Sequence, residues 1–138
     1  MSTLSINLLF MKTFSLSPNL MVEDMPKTIE FYSSILYFKV TMTVPDAKKP
    51  VWAMLTNDKV TIMLQQRASF VEEVPDFAKQ PIGGSFSLYI HVDDIEKLYK
   101  KIQQAKITII KELHKTFYGA REFSIKDCNG YVIYFAQN

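Results

Sequence analysis

The sequence predicts an α+β domain in which one unit, a strand, a helix and three further strands, occurs twice. Three observations predict it. Two acidic helix starts, at Asp24 and at Asp93-Asp94, each follow a run of β-type residues. Each helix is followed by short stretches rich in β-branched and aromatic residues, the signature of strands. Between the two series, residues 67–84 show no apolar period and carry Pro75, Pro81, Gly83 and Gly84, after which the order of elements begins again.

Bulk properties narrow the class. A chain of 138 residues can bury one sizeable core, whereas two independent domains would each be marginal. Apolar residues make up 48% and charged residues 22% with both signs mixed, an ordinary globular balance. Sixteen Lys plus Arg against fourteen Asp plus Glu leave no excess to neutralise a phosphate backbone, so no nucleic-acid partner is expected. The local group Lys97, Lys100, Lys101, Lys106 and Lys111 reads as a solvated helix face and its flank. No run of about 20 apolar residues is present to span a membrane. A single Cys128 forms no internal disulfide and makes no zinc pair, which points to a reducing, cytoplasmic setting. With neither His close in sequence, Cys128 reads as a bystander thiol in a turn. Residues 1–10 are fairly apolar but lack a basic leader and a small-residue cleavage site, so they read as an N-terminal extension of a domain spanning 11–138.

In chain order, Phe14 to Val22 alternates loosely and contains Pro18, which suits an edge strand. Asp24 with Pro26 in the first turn starts a helix whose apolar side is Ile29, Phe31, Tyr32, Ile35 and Leu36. Phe38 to Val44 is strand-like and Pro45 to Pro50 is a polar loop. Val51 to Leu55 and Lys59 to Gln65 are strands joined by a hairpin turn at Thr56-Asn57-Asp58. The first unit thus covers about 13–67, and the linker, 68–84, includes one helical turn around Phe77. The second unit, 85–138, opens with a strand at Ser85 to Val92. Its helix follows Asp93-Asp94, with Ile95, Leu98, Tyr99 and Ile102 at helical spacing. Ile107 to Ile110 is a strand, Lys111 to Gly119 a loop or irregular strand, and Ala120 to Ile125 a strand. The turn Asp127-Cys128-Asn129-Gly130, rich in residues that tolerate positive φ, leads into the closing strand from Tyr131.

The two units align at their strand-to-helix junctions, Leu20-Met21-Val22-Glu23-Asp24 against Ile90-His91-Val92-Asp93-Asp94. With Phe31-Tyr32, Ile35-Leu36-Tyr37-Phe38 and Asp127-Cys128-Asn129-Gly130, the chain from about Thr13 to Gln137 resembles the vicinal oxygen chelate superfamily of glyoxalases, bleomycin-resistance proteins and extradiol dioxygenases. It carries Tyr37 where the family usually has Gly and Cys128 where it usually has Pro. The resemblance implies tandem βαβββ modules whose mixed sheets curve around a cleft, with helices on the outer face. It also implies a homodimer, in which a second copy gives each cleft another wall.

Side chains alternate along a strand, so parity sorts cleft from core. Leu20, Val22, Leu88, Ile90 and Val92 would face the helices, leaving Ser17, Asn19, Met21, Ser87, Tyr89 and His91 toward the cleft. The four positions that hold metal in metal-dependent relatives fall on Ser17, Met63, Ser87 and Tyr134. None is the imidazole or carboxylate that a divalent cation takes in such a site, so no metal and no cofactor is expected. His91 and His114 read as ordinary hydrogen-bonded histidines. The expected ligand-binding set is Trp52, Met63, Ser87, Tyr89, Glu122, Ser124 and Tyr134, an aromatic cleft in which Phe117, Tyr118, Met21 and Met54 also take part. Glu122 shares the parity of Ser124 and is the candidate to pair with a cationic ligand, or to act as a base with a raised pKa. Arg121, on the other parity, reads as structural. The resulting expectation is a metal-free binding protein of the bleomycin-resistance type that sequesters a small aromatic or cationic compound. The alternatives are a lyase or other enzyme of the same superfamily, either metal-free with Glu122 as its base or using His91 with a further ligand, and an interaction module whose clefts are filled by Tyr89 and Tyr134.

Overall fold

The computed structural model describes residues 10–138, so the N-terminal extension, apart from Phe10, lies outside the described residues. The fold is the predicted α+β architecture, two mixed four-stranded sheets with few helices. β1 (Asn19–Val22) begins at Asn19 rather than Phe14. Pro18, with no amide proton to donate, instead accepts a bond from Met63 N through its carbonyl, 2.9 Å away. α1 (Met25–Glu30) is capped by the Asp24 carboxylate, which accepts from Lys27 N at 3.0 Å, and runs on as a widened turn over Phe31–Ile35. β2 (Lys39–Val44), β3 (Trp52–Asn57) and β4 (Val60–Gln66) complete the first unit, and the sheet order is β1-β4-β3-β2 with β1 parallel to β4.

The stretch predicted as linker contains more structure than its sequence shows. α2 (Arg67–Glu73) leads into a single tight turn at Pro75–Phe77, and Phe70 packs edge-to-face on Phe77 with ring centres 5.1 Å apart. None of its residues is buried, so no apolar stripe marks it as a helix. The second unit comprises β5 (Ser87–His91), α3 (Ile95–Gln104), β6 (Ile109–Lys115), β7 (Arg121–Lys126) and β8 (Val132–Gln137), in sheet order β5-β8-β7-β6. β6 runs on to Lys115, so the first part of the stretch read as a loop or irregular strand is strand. Its register against β7 shifts twice, at Ile109/Lys111 and at Lys111/His114, and such bulges erase the alternation that identifies a strand. His114 is therefore a strand residue.

Alternation fills one core. Leu20, Val22, Leu55 and Leu64 of the first sheet are buried, as are Phe123, Ile125, Ile133 and Phe135 of the second with Ile95 and Ile102 of α3. The units meet at a polar seam built by the closing turn. Tyr32 of the first unit donates its phenol proton to Asp127 Oδ2 at 2.6 Å, while Asp127 Oδ1 accepts from Asn129 N and Tyr131 N at 2.9 and 2.8 Å. Asn129 Nδ2 donates to Thr28 Oγ1 at 3.0 Å, and the Tyr131 hydroxyl donates to the carbonyl of Met21 at 2.6 Å. Gly83 of the linker passes so close that a Cβ there would lie 3.3 Å from the Gly130 carbonyl oxygen, and its φ of +108° already selects glycine. Among the described residues no helix is long and apolar enough to cross a membrane.

Candidate functional site

Each sheet has a face turned away from its buried layer, and register fixes which side chains share it. On the second sheet one row reads Tyr89, Tyr134, Ser124, Lys111 across β5, β8, β7 and β6; the next reads His91, Ala136, Glu122, His114. Ser87 stands at the end of this face beside Val132. Ala136 has only a methyl to offer, and the Tyr89 phenol crosses the sheet to donate to Glu122 Oε2. Tyr118, from the β6–β7 connection, donates to the same oxygen. The Tyr89 ring lies near-parallel to Tyr134 with centres 6.2 Å apart, and His91 meets it edge-on at 5.2 Å.

Glu122 is 5% exposed, yet Tyr89 above it is 47% exposed. Burial pushes the Glu122 carboxyl up, but the bonds from Tyr118 and Tyr89, with His114 and Lys111 nearby, outweigh it and hold the group below the ordinary carboxylate range. The expectation of a raised pKa is therefore corrected: two phenols and two basic neighbours stabilise the anion. The partners shift in the opposite sense. Hydrogen bonding to Glu122, then burial, raises the Tyr89 and Tyr118 phenols above their ordinary value. Both phenols reach Oε2, and among the described residues no hydrogen bond engages Oε1.

The first sheet presents a different face. Its rows are Asn19, Met63, Met54, Met42 and Met21, Gln65, Trp52, Val44. The seven predicted ligand-binding residues thus divide. Ser87, Tyr89, Glu122, Ser124 and Tyr134 share the second sheet's face, Ser124 buried and Ser87 exposed. Trp52 and Met63, both partly buried, share the first, and no strand ladder joins the two sheets among the described residues. Arg121 turns the other way, its guanidinium paired with Glu96 of α3. Sequence reasoning missed that Tyr118 caps Glu122. Their four-residue spacing across the hairpin end was visible, but the bulged register of β6 hid which face it served.

Two concavities lie at the margins of these faces, the first reaching His91 and the second Asn19 and Met21. One of about 670 Å³ runs between the end of α1, the β3–β4 turn and the start of α3; the other, of about 430 Å³, lies between β1 and the linker. None of the seven residues lines either. At the mouth of the first, Tyr37 adopts φ +63°, the conformation that glycine takes without strain, and its ring lies under the Lys101 ammonium, 3.9 Å from the ring centre.

Of the four positions that the resemblance assigned to a metal, Ser17 and Ser87 offer hydroxyls, Met63 a thioether and Tyr134 a phenol, a donor set that does not fit a divalent cation. Nor do three His, Cys, Asp or Glu side chains converge anywhere among the described residues. Cys128 is exposed and burial of its sulfur pushes the thiol up, away from the thiolate a nucleophile needs.

Paired βαβββ units define a fold class, and the family comparison agrees with it. Residues 15–135 match the model of the Glyoxalase/Bleomycin resistance protein/Dioxygenase superfamily, and the chain belongs to that superfamily. Comparison with the curated proteins gives no match. Among solved structures it is similar to a protein of unknown function from Agrobacterium tumefaciens str. C58, at 19% identity and TM-score 0.76, over 96% of this chain and 99% of that one. It is also similar to TioX from Micromonospora sp. ML1, at 15% identity and TM-score 0.71, over 91% and 98% of the two chains. Virulence protein STM3117 from Salmonella typhimurium is similar at 25% identity and TM-score 0.69, over 93% and 98%. These likenesses are likenesses of fold.

Proposed function

We propose that the protein binds a small aromatic or cationic compound without a metal, on the face of the second sheet, in the manner of a bleomycin-resistance protein. The observation that carries the reading is Glu122: a buried carboxylate held ionised by two phenols, with Oε1 free of hydrogen bonds among the described residues. A cation stacked on the half-exposed Tyr89 ring would meet both the π-face and the anion. The enzyme reading, with Glu122 as base, draws less support, because a carboxyl held below its ordinary range is a weaker base. A homodimer supplies the second wall: the Met42, Met54, Met63 row of the first sheet is adaptable apolar surface suited to closing over a ligand on a partner's Tyr89 and Tyr134. A lone exposed thiol suits a reducing cytoplasm.

The test is a thermal-shift screen of planar aromatic cations against neutral isosteres, repeated with Glu122→Gln. A ligand at about 100 times its dissociation constant stabilises the native state by about 2.7 kcal/mol, and that gain should shrink for cations in the variant. Shifts indifferent to the substitution would remove Glu122 from the site. Stoichiometric metal in the purified protein would overturn the metal-free reading.

A further inference from the structure

Residues 10–18, which lead into β1, form neither helix nor strand. Phe10, Met11, Phe14 and Leu16 on this arm are each at least three-quarters exposed, Phe14 at 90% and Leu16 at 88%. Single exposed apolar side chains are ordinary, but four of them within seven residues make a continuous apolar segment. Its pattern is that of a strand. Thr13-Phe14-Ser15-Leu16 alternates hydroxyl and apolar, so an extended backbone puts Phe14 and Leu16 on one face. The arm's own sheet has no place for it. β1 runs parallel to β4 with Asn19 opposite Met63, and the same register carried back sets Leu16 opposite Val60, the first residue of β4. Every residue before Leu16 lies past the end of that neighbour.

The far edge of the same sheet is open. β2 is exposed at five of its six residues and on both faces, since Val40 stands beside Leu55 of the buried layer and Met42 beside Met54 of the opposite face. Thr41-Met42-Thr43-Val44 repeats the arm's alternation of hydroxyl and apolar residues, and Lys39 is the one charge on the strand. The other edges are less available. β1 is buried from Leu20 onward, and β5 alternates exposed and half-buried residues. β6 carries Lys111, Glu112, His114 and Lys115 with two register slips, the charges and bulges that guard an edge against pairing. Arm and open edge thus lie on opposite sides of one sheet, and two copies related by a two-fold axis can satisfy both at once.

We infer that the arm of one copy adds as a strand to the β2 edge of a second copy, with Phe14 and Leu16 on the face of Met42 and Val44 and the hydroxyls of Thr13 and Ser15 on the face of Thr43. Reciprocal exchange brings eight large apolar side chains out of water, roughly 1,200 Å² from the arms alone, which reaches the lower end of stable interfaces. The inference rests on the homodimer reading above and supplies the contact that holds the dimer. It is tested on the full chain by sedimentation of the wild type and of the double variant Phe14→Ser/Leu16→Ser, whose side chains are already in water within one copy. The wild type should be a dimer, and the double variant should raise its dissociation constant about 100-fold or more. In a mixture of isotope-labelled and unlabelled wild-type protein, intermolecular NOEs should join the Phe14 ring to the Met42 methyl and the Val44 methyls. A monomeric wild type overturns both this inference and the second wall proposed for the ligand. A dimer that the double variant leaves equally tight, or one without those NOEs, overturns the arm exchange and leaves the dimer reading standing.

Discussion

Two buried carboxyl groups lie five residues apart on the β7–β8 hairpin, and they are held in opposite ways. Asp127 sits at the seam, where it accepts from the Tyr32 phenol and from the amides of Asn129 and Tyr131. Burial still dominates there, and its pKa is raised against the pull of those bonds. Glu122 sits on the open face under half-exposed tyrosines, with His114 and Lys111 nearby, and there the bonds and charges win. A carboxyl whose anion is disfavoured but whose oxygens are all engaged holds structure together. One whose anion is favoured, and whose second oxygen has no hydrogen bond among the described residues, is the one the proposed site would use. The difference separates the seam from the proposed site within one hairpin.

The largest effect expected from this contrast is in stability. Asp127→Ala removes the acceptor for a buried phenol and two backbone amides and should destabilise the protein by about 3 kcal/mol or more in urea unfolding. Glu122→Ala leaves phenols that reach water and should cost about 1 kcal/mol. Equal losses would erase the distinction between latch and site.

The pH dependence is smaller but diagnostic, because the two signs differ. Asp127 has a raised pKa in the folded state, so its contribution is full below about pH 4 and is lost as pH rises through the folded value. Glu122 has a lowered one, so its contribution is present above about pH 4 and is lost as pH falls through the folded value. Relative to Asp127→Asn, the wild type should therefore lose stability as pH rises across the acid range. Relative to Glu122→Gln it should gain. Unfolding free energies of the three proteins from about pH 3 to about pH 7 check both slopes. Slopes of one sign for both variants would show that the two carboxyls share an environment.

The contrast was only half legible in the sequence. The repeat of capped helices and β-type runs predicts both units, and parity places Tyr89, Ser124, Tyr134 and Glu122 on one face, because a period of two survives in β5, β7 and β8. What escaped depends on register and distance. The two slips in β6 hide that His114 stands opposite Glu122, and α2 is too short and too exposed to leave a pattern. Trp52 and Met63 share cleft parity with Tyr89 yet stand on the other sheet, since parity sorts faces within a sheet but says nothing of which sheets meet. The union of Tyr32 with Asp127 spans 95 positions, beyond the reach of any local pattern.

The smallest expected effect is spectroscopic and isolates the Glu122 network from stability altogether. Tyr89 and Tyr118 are raised chiefly by hydrogen bonding to Glu122, whereas Tyr32 at the seam is raised first by burial. Glu122→Gln keeps an acceptor but removes the charge, so two phenols should titrate closer to their ordinary value of about 10 while Tyr32 stays high. Resolved tyrosine ring signals followed through alkaline pH would read each phenol separately. If Tyr89 and Tyr118 do not move, their protons are not on Glu122, and the anion on the open face is held by His114 and Lys111 alone. A downward shift in Tyr32 with the same substitution would mean that seam and face are electrically one site.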